Sequence, residues 1–145
     1  MKSGMRPIED DIIRLLVQEG LARMPEEGES DWPIFSGFRP DSPINLVVVS
    51  GGPSTSQSDT MGRNTLFQSR FQVQVRAAQR EDAYVKVMEI RDFLHHHLRF
   101  VLERGGDFTR VEYQGIHTYI EPFRLLFEDR GETWAVDLTA FRREV

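Results

Sequence analysis

Phe71-Gln72-Val73-Gln74-Val75-Arg76-Ala77, and the stripe Ala83, Val87, Ile90, Leu94 and Leu98 that follows it, decide how the chain folds. In the first stretch apolar and polar residues alternate, so a strand there has one dry face and one wet face. The second recurs at helical spacing and predicts an amphipathic helix over about Glu81 to Leu98. Upstream, Ile44 to Val49 is a β-branched run that reads as a buried strand. Trp32 to Phe38 before it reads as a short edge strand, because Pro33 cannot donate to a ladder. Between the two, Arg39-Pro40-Asp41-Ser42-Pro43 has turn chemistry.

A first helix is predicted over Pro7 to Glu19, where Ile8, Ile12, Leu15 and Leu16 share one face. Pro7 suits its first turn, Glu9, Asp10 and Asp11 suit its positive end, and Gly20 suits its stop. Residues 24–31 are polar and read as a loop. Beyond the second helix, Gly105-Gly106 is a break, and strands are predicted over Phe108 to His117, Phe123 to Phe127 and Trp134 to Phe141. Asp129-Arg130-Gly131-Glu132 carries the turn residues of a hairpin. The order α-β-β-β-α-β-β-β predicts an α+β fold: an antiparallel or mixed sheet with two main helices packed on one face. Neither a repeat nor a linker divides residues 1–145, so one domain is expected. Ser50 to Asn64 is almost wholly small or polar. A stretch of that kind predicts a long flexible loop at about 50–64, with the little apolar surface that a binding loop or a disordered one has.

Composition narrows the function. The chain has 145 residues, no cysteine, 39% apolar and 28% charged residues and a formal net charge of -5. Without cysteine there is neither a disulfide framework, a thiolate zinc site nor a cysteine nucleophile. The longest aliphatic run, Leu46 to Val49, is far short of a membrane span, and the first residues lack the apolar core of a secretory signal. An intracellular, soluble protein is expected. The acidic balance argues against tight non-specific nucleic-acid binding, which needs clustered cations. Lys2 and Lys86 are the only lysines, so arginine supplies nearly all the positive charge. Arginine's planar fork suits protein interfaces, although codon bias gives the same composition.

Chemistry is harder to find. His95-His96-His97 looks like a metal motif, but successive helical residues point about 100° apart, whereas helical ligand pairs sit at i and i+4. Histidines near a helix C-terminus also interact favourably with the dipole. His117 has no partner nearby in sequence. No Gly-x-Ser-x-Gly elbow occurs, and Gly51-Gly52-Pro53-Ser54 is not a phosphate loop, since no Gly-Lys-Ser/Thr follows. No catalytic, cofactor or metal residue is therefore assigned. The strand aromatics, Phe67, Phe71, Phe123, Phe127 and Trp134, read as core rather than as base-stacking platforms.

The order of segments resembles a family of tailed-bacteriophage proteins of the head–tail junction, the minor capsid or tail terminator (tail completion) proteins. The resemblance spans roughly residues 7–142. It rests on the opening helix and Phe38-Arg39-Pro40-Asp41-Ser42-Pro43. Leu46 to Pro53, ending in Gly-Gly-Pro, continues it. Its best part is the Val73-x-Val75-Arg76 strand feeding a helix with Ala83-Tyr84, Ile90 and Leu94-His95, closed by a hairpin over 123–142. Residues 99–107 are longer than a minimal connection.

The resemblance implies a non-enzymatic virion protein of the tail, assembled in the host cytoplasm. It implies a homo-oligomeric ring, with a hexamer favoured, that caps the tail tube and ends its polymerisation. Its partners would be the tail-tube protein and the head connector or stopper, with DNA passing through the lumen without specific binding. No cofactor and no membrane are implied. The candidate assembly interface is the polar stretch: Ser50, Gly51, Gly52, Ser54, Ser58, Asp59, Met61 and Arg63. Two alternatives stand beside it, a head completion or head–tail joining protein and, more distantly, a small enzyme using His117 or His97.

Overall fold

The structure, a computed structural model, describes residues 7–25, 32–41, 43–58, 65–95, 100–102, 111–118, 120–127 and 130–144. Helix α1 spans Ile8–Glu19 and buries Ile8, Ile12, Leu15 and Leu16. Gly20 ends it in the left-handed conformation at φ 81°, where its N–H turns back to the carbonyls of Leu16 and Val17. A side chain there would be strained, which is why glycine stops helices this way.

Strands β1 (Ile34–Ser36), β2 (Leu46–Ser58) and β3 (Thr65–Ala77) follow, then α2 (Arg80–His95). The chain ends in β4 (Phe100–Leu102), β5 (Val111–His117), β6 (Phe123–Leu125) and β7 (Glu132–Glu144). The strand order is β1-β2-β3-β7-β5-β4, with β6 also paired to β7. β1 runs parallel to β2 and every other pairing is antiparallel, so the sheet is mixed. The α+β order holds, with the short strand β4 added within the 99–107 connection.

Alternation decides which face the helices cover. Val47, Val49, Val73, Val75, Val136 and Leu138 point to one side and join Ile12, Leu16, Val87, Ile90 and Leu94 in a single core. α1 packs over β1 to β3 and α2 over β3, β5 and β7. Both helices therefore lie on one face, as the half-wet pattern of β3 requires. At the hairpin between β6 and β7, Gly131 has φ 89°, and a Cβ there would lie 2.7 Å from the Ala77 carbonyl. Only glycine fits.

The expected loop at 50–64 is corrected in its first half. Residues 50–58 continue β2, and β3 begins at Thr65 rather than Phe71, so the two pair from Leu46↔Arg76 to Ser58↔Thr65. Gly51-Gly52-Pro53 does not end the strand. It makes a bulge, with the register shifting between Gly51 and Ser54. Polar composition misleads here because ladder bonds come from the backbone and need no apolar side chain. Residues 59–64 lie outside the described residues, as do the ends predicted at Leu98 and Phe108.

Candidate assembly interface

The sheet face away from the helices is built by the polar half of each alternation. Gln68, Arg70, Gln72, Gln74 and Arg76 of β3 stand opposite Phe141, Thr139, Asp137, Ala135 and Thr133 of β7. The Gln72 amide donates to Asp137 Oδ1 at 2.9 Å, and Gln74 Nε2 donates to Gln72 Oε1 at 2.6 Å. Beside this polar row runs an open groove of about 640 Å³, lined by Ser50, Gly51, Gly52, Arg70, Gln72, His117 and Asp137 among others. A Cβ at Gly52 would lie 3.3 Å from the Arg70 carbonyl, so β2 passes close to the β3 backbone at this point.

Of the residues expected from sequence, Ser50, Gly51 and Gly52 thus share one surface. Ser54 and Ser58 lie farther along β2, opposite Ser69 and Thr65. Asp59, Met61 and Arg63 are outside the described residues. The interface reading consequently moves from a loop to a strand edge and the groove beside it.

One end of this face is apolar. Phe35 and Phe38 meet edge to face with ring centroids 5.4 Å apart, and Phe38 and Leu126 are 58% and 86% exposed. The Arg39 guanidinium sits 3.7 Å above the Phe127 ring, donating to Gln74 Oε1 at 2.8 Å and Thr133 Oγ1 at 3.0 Å. Arg76 is buried and organises the preceding turn, donating to the carbonyls of Ile44, Pro40 and Pro43 at 2.7–2.9 Å. These are structural uses of arginine, in which the fork satisfies several acceptors at once.

The histidines divide. His117 lines the groove and packs edge-on to Phe141, with centroids 5.7 Å apart. The His95 ring lies 6.4 Å from that of His117, and its Nδ1 accepts the Thr118 N–H at 3.4 Å. This neighbour of His117 lies at the end of α2, too far away in sequence to be anticipated. His96 and His97 are outside the described residues. Among the described residues, no three His, Asp or Glu side chains are placed to hold a metal ion.

Sequence reading also missed a buried polar cluster that fixes α1 to the sheet. Asp11 Oδ2 accepts the Tyr113 hydroxyl at 2.5 Å and Arg142 Nη1 at 3.2 Å, while Arg142 Nε donates to Ser69 Oγ at 3.2 Å. A signal existed. Asp11 falls three residues after Ile8 and four before Leu15, inside the apolar stripe rather than beside it.

A search of curated proteins returned no match. A family model described as bacteriophage tail terminator protein matches residues 15–139, from within α1 to within β7. That span takes in the end of α1, all of α2 and strands β1 to β6, so the chain belongs to the bacteriophage tail terminator protein family.

Proposed function

We propose that this structural protein of the phage tail works as a closed ring, hexameric, that seats on the end of the tail tube, stops its polymerisation and joins it to the head connector. The observation that carries the reading is a sheet with both helices on one side and, on the other, an open polar groove at one end and an exposed apolar cluster of Phe38, Leu126 and Phe127 at the other. A face of that kind suits contact with other subunits, since exposed apolar clusters rimmed by polar groups mark protein interfaces. The terminator family match supports this role over the head-completion one. In such a ring the protein contributes shape and contacts, and no reaction is assigned to it.

Native mass measurement tests the proposal. Purified protein alone, or mixed with the tail-tube protein of the same phage, should give a species of six chain masses, and the tube should stop elongating when the ring is added. A chain that stays monomeric in both samples, with tube growth unchanged, would exclude the ring.

A second expectation concerns DNA. Each chain carries a net charge of -5, so the assembled ring is strongly acidic. Cations lining a channel would hold phosphates and slow transit, whereas an acidic or neutral wall lets the duplex slide. Anisotropy titrations should therefore show no duplex binding at physiological salt. Micromolar affinity with a steep salt slope would instead favour a DNA-handling head protein.

A further inference from the structure

Among the described residues, the outer edge of β2 has no partner beyond Val49, because β1 pairs only with Val47 to Val49. The direction of the backbone groups along that edge follows from the bonds beside it. Val47 N–H donates to the Pro33 carbonyl at 2.9 Å, and the Val49 carbonyl accepts Gly37 N–H at 3.0 Å, so residues 47 and 49 face β1. The register of β2 on β3 then shifts between Gly51 and Ser54, while β3 keeps an unbroken register on β7. The extra residue inverts the phase of β2. Beyond it, Ser54, Ser56 and Ser58 direct their N–H and C=O groups outward, and Thr55 and Gln57 direct theirs to β3.

This edge is unguarded. Sheet edges are usually blunted by charge, proline or a bulge. Here the bulge and Pro53 come first, and Ser54 to Ser58 contains no charge and no proline. At the far end of the same sheet, β4 pairs only with β5 among the described residues. Among its described residues, one chain therefore leaves two unlike edges on opposite sides. Two β2 edges paired like with like would leave both β4 edges open, whereas head-to-tail pairing uses one of each per contact.

We infer that Ser54–Ser58 adds, backbone to backbone, to the β4 edge (Phe100–Leu102) of a second copy, continuing the sheet from subunit to subunit. This rests on the ring reading above and names the contact that closes the ring.

Ser56→Pro tests it, because it deletes an outward N–H and leaves the ladder to β3 in place. Ser56→Ala keeps that N–H. In a native mass concentration series, wild type and S56A should assemble at the same concentration, and S56P should need at least about tenfold more protein. Hydrogen exchange on wild type gives a readout independent of any variant's folding: the outward amides of Ser54, Ser56 and Ser58 should exchange at least about tenfold more slowly in the ring than in dilute monomer. Rings of S56P at the wild-type concentration, or no added protection at these amides in assembled wild type, would overturn the edge contact and leave the ring standing. Wild type that stops at a dimer would overturn head-to-tail pairing. Wild type that stays monomeric even with tube protein would overturn both readings.

Discussion

Replacing Asp11 with alanine is expected to destabilise the protein by about 3–5 kcal/mol and to lower its melting temperature by roughly 10–15 °C. The side chains of Asp11 and Arg142 are only 1% and 6% exposed, and they meet at 3.2 Å. Removing the carboxylate leaves a guanidinium inside the core, together with a Tyr113 hydroxyl that has lost its acceptor. The cost is that of the stranded charge rather than of the lost attraction. For the same reason the double variant Asp11→Leu with Arg142→Met should recover much of the loss, since an apolar pair carries no desolvation penalty. Urea denaturation of the two single variants and the double gives the coupling directly. A loss below about 1 kcal/mol for Asp11→Ala would mean that the cluster is hydrated and does not fix α1.

Ile90→Ala and Leu94→Ala should each cost about 2–5 kcal/mol. Both side chains are 0% exposed and face the β3 and β7 core, so truncation loses burial and leaves a cavity that neighbours fill only in part. Val85→Ala on the same helix is the control. Its side chain is 61% exposed, and the change should stay within about 0.5 kcal/mol. Equal losses at positions 85 and 90 would mean that α2 is rotated about its axis relative to the sheet.

These two results separate what could be read early from what could not. Ile90 and Leu94 were legible as core because helical period is a local property, visible in twenty residues without knowledge of their partners. The same holds for the alternation at Phe71–Ala77 and for Gly20 and Gly131, where backbone geometry dictates the residue. For Asp11 the stripe position marks an inward-facing residue, although acids in a first turn commonly serve only the helix dipole. Its burial depends on Arg142, 131 residues away, and that distance has no local signature.

The candidate interface divides in the same way. Composition marked Ser50 to Asn64 as unlike the rest of the chain, and that contrast was real. Its described part, residues 50–58, reads as a loop in sequence because serine, threonine and glycine carry little apolar surface, whereas an edge strand needs only a neighbour's backbone.

The sequence by itself determined the element order apart from β4, the faces of both helices and of β3, and the glycine stop of α1, because each follows from periodicity or from backbone geometry. Only the tertiary structure decided that β7 lies between β3 and β5, that Arg76 and Arg142 turn inward, and that β2 runs on past its bulge as an edge unpaired among the described residues. Those outcomes depend on which distant backbones meet, and every residue brings nearly the same hydrogen-bonding groups to that choice.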